Sequence, residues 1–195
     1  MERILKLWSF TGLISLAAAL TTIFVCWHLN PWFDFWKDAF SDFGVPKACC
    51  PWLYNYGLMA SAFFLSIYSL FILGASKGRL ESFASGLLFT ASIFLALIGV
   101  FPGGTRPHTF VSTWFFFQAF MGLAVLGIAL FVGGYARGLI VALLAGLAPI
   151  LAVLVDLMVG WPSAAVAEAA GILIIGVSVL IVTIHYTSRM RNEPT

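Results

Sequence analysis

The sequence predicts an all-α integral membrane protein, a bundle of six transmembrane helices that forms one domain over residues 1–195. Three observations support this fold class. Of the residues, 62% are hydrophobic and only 9% are charged, whereas a soluble domain carries about 25% charged residues. The apolar residues fall into six stretches of about 20 residues, the length that crosses a bilayer. Short segments rich in Gly, Pro, Lys and Arg separate these stretches.

The first span follows a short charged start and could be mistaken for a secretory signal. Its apolar stretch continues through Ile23, Phe24 and Val25, a length that favours an uncleaved anchor. A long polar loop is expected at residues 28–51, and Pro149 is expected to kink the fifth span. The six spans, in chain order, are expected at residues 7–27, 52–74, 83–101, 109–132, 139–160 and 163–186.

The distribution of basic residues predicts that both termini lie in the cytoplasm of a multi-pass cell-membrane protein. Seven basic residues fall on the side of the termini: Arg3, Lys6, Lys77, Arg79, Arg137, Arg189 and Arg191. Three fall on the opposite side: Lys37, Lys47 and Arg106. The positive-inside rule places the richer side in the cytoplasm and the long loop outside. The net charge of +2 is too small to indicate a nucleic-acid partner.

Two carboxylates at membrane depth are the clearest candidates for function. Asp156 precedes the turn at Gly160, and Glu168 follows Pro162. A tight hairpin would hold both carboxylates roughly 6–9 Å below the outer turn. Because buried polar groups are costly without partners, intramembrane carboxylates with no cation at their depth indicate a functional site.

Other polar residues are expected at the same outer level, near the Ser-Asp-Phe-Gly motif at residues 41–44. Candidate catalytic residues are Asp42, His108, Asp156 and Glu168. Candidate substrate-binding residues are Ser41, Lys47, Asn55 and Arg106. Each has a simpler alternative: Asp42 can cap a turn, Lys47 and Arg106 can pair with lipid phosphates or with Asp42, and His108 can be a solvated interface residue.

The three cysteines, Cys26, Cys49 and Cys50, all fall on the outward side. An oxidising exterior would allow Cys26 to pair with either of the other two, leaving one thiol over. No C-x-x-C motif indicates a disulfide oxidoreductase. Asp42, His108, Asp156 and Glu168 could act as zinc ligands, but no H-x-x-x-H pair supports a site. The sequence therefore predicts neither a metal nor another cofactor.

Several of these motifs resemble a known family. The segment Ala-Phe-Ser-Asp-Phe-Gly at residues 39–44, followed by Trp-Leu-Tyr-Asn-Tyr-Gly at residues 52–57, is similar to prokaryotic six-helix membrane proteins of domain-of-unknown-function family 998. Gly-Val-Phe-Pro-Gly at residues 99–103 and Pro-His-Thr at residues 107–109 also resemble that family. Its last helix begins with Gly-x-x-Glu-Arg. Here Glu168 matches, but Ala169 replaces the arginine and with it the ion pair expected there.

The order of elements is also similar, more distantly, to a eukaryotic family. That family includes the damage-regulated autophagy modulators and the factor that remodels fatty acids on GPI-anchored proteins. The resemblance implies a role in lipid handling at the outer leaflet, although a shared fold does not settle an activity.

Two functional hypotheses follow, both with membrane lipid as the partner. The first is a lipid acyl transferase or hydrolase, in which His108 or Glu168 acts as general base and Arg106 with Lys47 holds a phosphate. The second is a non-enzymatic binder, transporter or regulator of a lipid or small amphiphile. Ion transport is weaker, because the polar residues cluster at one end of the predicted bundle. The sequence specifies no oligomeric state.

Overall fold

The structure is a computed structural model that describes residues 7–192. These residues form six long helices, each long and apolar enough to cross a membrane. The long loop after the first helix contains a short 3-10 helix, Phe40–Gly44. The predicted all-α bundle of a multi-pass membrane protein is therefore confirmed. The helices are α1 (Thr11–Leu29), α2 (Pro51–Ala75), α3 (Arg79–Val100), α4 (His108–Val132), α5 (Gly138–Met158) and α6 (Ala164–Asn192).

The two ends of the bundle differ in character. One, the loop end, carries the long loop of residues 30–50 together with the α3–α4 and α5–α6 turns. The other, the base end, is where α1 begins and α6 ends, and it carries the α2–α3 and α4–α5 turns. Arg3 and Lys6, which contribute to the predicted orientation, lie outside the described residues.

Prolines and glycines mark where the helices start and stop. Pro51 is the first residue of α2, a position where its missing N–H costs no helical hydrogen bond. Gly134 and Gly160 follow α4 and α5 with φ of 92° and 77°, a left-handed conformation that favours glycine. Pro149 lies inside α5, where it removes one helical hydrogen bond.

Small residues and hydroxyls bring neighbouring helices into close contact. A Cβ atom at Gly127 of α4 would collide with the backbone of Ala142 in α5, so only glycine allows that approach. Ser15 of α1 and Ser61 of α2 each donate a hydrogen bond to the other's carbonyl at 2.8 Å. Interfaces of this kind are typical of helices packed in lipid, where no hydrophobic force drives association.

The helices pack in chain order, and α6 returns to contact α1 and α4. α5 contacts only its two chain neighbours, α4 and α6, among the strongly packed pairs. Its most apolar window is also the least buried of the six, at 22%. α5 is therefore a peripheral helix, and one side of it borders a groove described below.

Candidate functional site

The Ser-Asp-Phe-Gly motif forms the 3-10 helix Phe40–Gly44 in the long loop. The Oδ2 atom of Asp42 accepts a hydrogen bond from the Ala39 amide at 3.0 Å. The Asp42 amide donates to the Ala39 carbonyl at 3.0 Å. Asp42 therefore caps this turn, which is the simpler of the two roles considered for it. It does not line the cavity that lies beneath the loop.

Aromatic side chains pack the interior of the long loop. The Phe43 side chain is fully buried, with its ring centroid 4.4 Å from that of Phe33 and 6.0 Å from that of Tyr54 in α2. Phe40 stacks on Phe33 at 6.0 Å, and Trp27 of α1 meets Phe33 edge-on at 5.3 Å. Because such pairs bury large apolar areas in defined geometries, the loop is a packed layer over the end of the bundle.

Two asparagines attach the long loop to α1 and α2. Asn30 is buried, and its Nδ2 donates to the Cys26 carbonyl at 2.7 Å while its Oδ1 accepts the Cys49 amide at 2.8 Å. Asn55 donates from Nδ2 to the Gly44 carbonyl at 3.1 Å, and its buried Oδ1 has no partner within residues 7–192. Asn55 thus holds the loop and does not line the cavity.

Ser163 attaches the long loop to α6. Its hydroxyl donates to the Phe35 carbonyl at 2.7 Å. The same oxygen accepts the Val166 amide at 3.1 Å, which is the N-cap interaction that stabilises a helix start. One buried hydroxyl therefore fixes both the first turn of α6 and the loop above it.

A narrow cavity lies beneath the 3-10 helix. The centre of a water molecule can range over about 90 Å³ within it. Apolar side chains from five helices form most of its walls, and from Tyr54 to Tyr68 along α2 the lining extends over roughly 21 Å. The polar residues that line its loop end are Ser41, Tyr54, His108, Ser112 and Glu168.

A wider groove lies beside this cavity, between α4, α5 and α6. It provides about 630 Å³ for the centre of a water molecule, within the usual range for sites that hold small ligands. Its lining is almost wholly apolar and includes Leu147, Ala170 and Trp161. Ser112, Phe116 and Glu168 line both spaces, so these three residues form a shared wall between groove and cavity.

His108 is the first residue of α4 and is half-buried at the edge of the cavity. Its Nδ1 lies 2.8 Å from the carbonyl oxygen of Phe101. Because a carbonyl only accepts hydrogen bonds, Nδ1 carries the proton. In the neutral imidazole Nε2 is then unprotonated, and it can accept a hydrogen bond or take a proton.

Glu168 lies in the second turn of α6 and is half-buried. Its Oε2 accepts a hydrogen bond from the Phe40 amide at 2.8 Å, which connects the carboxylate directly to the 3-10 helix. Within residues 7–192 the carboxylate forms no ion pair, and its neighbour in the sequence is the uncharged Ala169. Glu168 therefore presents a carboxylate, held at one oxygen only, to both the cavity and the groove.

Asp156 is not brought together with Glu168. It is exposed on the outside of α5 and borders neither the cavity nor the groove. Ala152 and Val155 lie on the groove side of α5, and each further residue is turned by about 100° around the helix axis. Both carboxylates lie near the same end of the bundle. Asp156, however, lies on a side of α5 that does not border the groove, whereas Glu168 lines it.

Arg106 and Lys47 do not form the expected phosphate-binding pair. Both are exposed, and neither lines the cavity or the groove. The Lys47 ammonium lies 4.9 Å from the ring centroid of Trp32, a cation–π contact. The remaining cation of the long loop, Lys37, pairs with Asp34 at 2.8 Å, and this hydrogen bond lowers the pKa of Asp34 and raises that of Lys37.

All three cysteines are free, and Cys26 is bonded to neither of the others. Cys26 is buried in α1, whereas the Sγ atoms of Cys49 and Cys50 lie 3.3 Å apart at the start of α2. The pKa of Cys50 is raised, chiefly by its hydrogen bond to Cys49 and to a lesser extent by burial. Asn30, rather than a disulfide, connects this segment to α1.

A polar cluster at the base end is not anticipated by the sequence. The Tyr186 hydroxyl donates to Oε2 of Glu81 at 2.8 Å, and Arg189 donates to the Ala75 carbonyl at 2.8 Å. The ring centroid of His185 lies 4.3 Å from that of Tyr135. The cluster joins α2, α3 and α6 and lies at the opposite end of the bundle from Glu168.

Within residues 7–192 no group of three or more His, Cys, Asp or Glu side chains is arranged to hold a metal ion. A family model described as "Protein of unknown function (DUF998)" matches residues 13–185 of the chain. No curated protein and no solved structure matches the chain.

Proposed function

The chain belongs to the DUF998 family, and we propose that it binds a membrane amphiphile at the loop end of the bundle. The headgroup lies against Glu168 and Ser112, and the acyl chain lies in the groove between α4, α5 and α6. One observation carries this proposal: Glu168 and Ser112 belong to the wall shared by an apolar groove and the polar loop end of the cavity. An amphiphile has the same two parts, joined in the same way.

The simpler explanation of the groove is that it only contacts membrane lipid, but that explanation does not account for Glu168. Any furrow between membrane helices contacts acyl chains, which pack against it without specificity. Such a furrow has no reason to end at a carboxylate, because a charged group at membrane depth is costly without a partner. Glu168 is the only acidic or basic residue among those that line the groove within residues 7–192. Its presence there favours recognition of a headgroup over plain lipid contact.

The outer leaflet is the proposed location of the bound amphiphile, with both termini in the cytoplasm. At the base end the described residues include five basic side chains: Lys77, Arg79, Arg137, Arg189 and Arg191. The loop end carries three: Lys37, Lys47 and Arg106. The positive-inside rule supports this orientation, and it would put Glu168 near the outer headgroup region.

The proposal is tested by filling the groove. Ala170 lines the groove, and Ala170→Phe adds a ring there. Ala17→Phe, at an exposed position of α1, adds the same ring outside both spaces. We expect mass spectrometry of protein purified in native lipid particles to find a defined amphiphile with the wild type and with Ala170→Phe at least tenfold less of it. If both variants fold and retain equal amounts of the amphiphile, the proposal is contradicted.

Lipid acyl hydrolysis or transfer is a second candidate function, favoured by the tautomer of His108. With Nδ1 bound to the Phe101 carbonyl, Nε2 can take the proton of a water or alcohol that attacks an ester carbonyl. The ester C–O bond then breaks, and the leaving alkoxide receives that proton. The Ser41 hydroxyl also lines this cavity and is proposed to bind the ester.

Lipid profiles of cells that express the wild type or His108→Gln decide between catalysis and binding. Glutamine keeps a donor for the Phe101 carbonyl but removes the basic nitrogen. If the protein is an enzyme, the profile changes and His108→Gln abolishes the change. Unchanged profiles at equal expression would refute catalysis and leave the binding proposal in place.

A further inference from the structure

Charge is distributed unevenly between the candidate site and the surface around it. Among residues 7–192, no lysine or arginine lines the cavity or the groove. The basic residues of the loop end lie elsewhere. Lys37 forms an ion pair with Asp34, Lys47 contacts the Trp32 ring, and Arg106 is exposed in the α3–α4 turn. The shared wall instead carries the carboxylate of Glu168. A phosphate at this position would meet a like charge and no cation.

The polar side chains nearest the groove, His108, Ser112 and Glu168, offer mainly hydrogen-bond acceptors. The proton on Nδ1 of His108 is used by the Phe101 carbonyl, which leaves Nε2 as an acceptor. The Ser112 hydroxyl donates to the Thr109 carbonyl at 3.2 Å, which leaves its lone pairs as acceptors. Glu168 contributes only acceptors when ionised, and the Phe40 amide uses one of its oxygens. These three residues therefore offer acceptors. The hydroxyls of Ser41 and Tyr54 at the same end of the cavity can also donate, so the charge of Glu168 is what chiefly sets the ligand class.

From these two observations we infer that the site selects an amphiphile whose headgroup is a protonated amine without phosphate. This inference rests on the proposed function and specifies the ligand class. An ammonium group has three N–H donors and no acceptor. It supplies the positive charge that the described residues 7–192 do not place beside Glu168.

The geometry separates this ligand from its two nearest alternatives. A phosphate group would be opposed by the charge of Glu168 and would find no cation in the lining within residues 7–192, although the hydroxyls of Ser41 and Tyr54 could donate to it. A fatty alcohol has one donor and no charge, and it leaves Glu168 uncompensated. Charged groups buried away from water are stable when they are paired and hydrogen-bonded, and the amine alone satisfies both conditions.

The test uses full-length protein in nanodiscs and three probes with the same sixteen-carbon chain: hexadecylamine, hexadecanol and hexadecyl phosphate. Native mass spectrometry counts the bound probe. We expect the amine to bind at least tenfold more tightly than the alcohol, and the phosphate to bind more weakly still. Glu168→Gln keeps an oxygen for the Phe40 amide and removes the charge, so it should reduce amine binding at least tenfold. Asp156→Asn, which removes an exposed carboxylate at the same end, should leave it unchanged.

The outcomes separate the inference from the proposed function. Phosphate binding equal to or tighter than amine binding overturns the inference, while the groove proposal stands. Equal binding of all three probes, unaffected by Glu168→Gln, also overturns it, because the headgroup is then not recognised. If no probe binds and Ala170→Phe retains as much lipid as Ala17→Phe, the proposed function fails as well. Should Glu168→Gln not fold, the ranking of the probes on the wild type decides.

Discussion

Replacing Ser163 by alanine is expected to loosen the long loop from α6. The hydroxyl caps the helix through the Val166 amide, and loss of an N-cap costs about 1 kcal/mol. It also donates to the Phe35 carbonyl at 2.7 Å, and such a bond contributes about 1 kcal/mol net. Loss of both weakens the attachment by about 2 kcal/mol, which is about 30-fold in the equilibrium between attached and detached loop.

Hydrogen exchange of the protein in nanodiscs measures this directly. The informative amide is that of Phe40, whose hydrogen bond to Glu168 of α6 is made only when the loop is in place. It should exchange about 30-fold faster in Ser163→Ala if exchange follows local opening.

Ser66→Ala serves as the matched control, because its hydroxyl bonds only the Phe63 carbonyl of its own helix. Equal exchange in the two variants would refute the reasoning, since it would mean that Ser163 does not hold the loop.

Three further changes test other parts of the molecule. Ser61→Ala removes a donor between α1 and α2 and should lower the free energy of unfolding by about 1 kcal/mol, measured by denaturation in mixed micelles. Tyr186→Phe removes the hydrogen bond to the Glu81 carboxylate and should cost about 2 kcal/mol in the same assay. Lys37 lowers the pKa of Asp34, so their pairing stabilises the loop above the ordinary aspartate pKa and is lost as pH falls through the lowered value. Carbon NMR of the Asp34 carboxyl group records that titration.

Each of these changes has a control. Ser66→Ala matches Ser61→Ala, and Tyr56→Phe, at a position 64% exposed, matches Tyr186→Phe. Unfolding free energies equal to those of the controls would show that neither hydrogen bond stabilises the bundle. For the ion pair, Lys37→Met should return the Asp34 titration toward its ordinary range. An Asp34 titration unchanged by Lys37→Met would contradict the assigned cause of the shift.

The six-helix fold could be predicted because hydrophobic length alone specifies a membrane span. The side of a helix on which a residue lies is harder to predict. Counting residues from the turn predicts that Asp156 and Glu168 lie in the helices on either side of it, and both do. Their directions depend on how α5 rotates around its axis, and that rotation is set by packing at Gly127 and Ala142, which apolar composition does not reveal.

The candidate site shows the same division between local and long-range information. The capping role of Asp42 could be foreseen because a capped turn involves only residues that are close in the sequence. Asn30 and Ser163 were missed because each holds the loop through a more distant backbone group: Asn30 accepts the Cys49 amide, 19 residues away, and the Ser163 hydroxyl reaches Phe35, 128 residues away. No periodicity or motif marks such a pair. An unusual polar residue at the exact start of a predicted helix is the one signal that could have found Ser163.

Pro149 gives the peripheral helix two mechanically different halves. The half before it is fixed to α4 where Gly127 allows backbone contact with Ala142. Both halves border the groove, and the helical bond missing at Pro149 makes this the natural point for a bend between them. A bend there would move the loop-end half of α5 relative to α4 and change the width of the groove. The cavity has no α5 residue in its lining, so its walls would stay as they are.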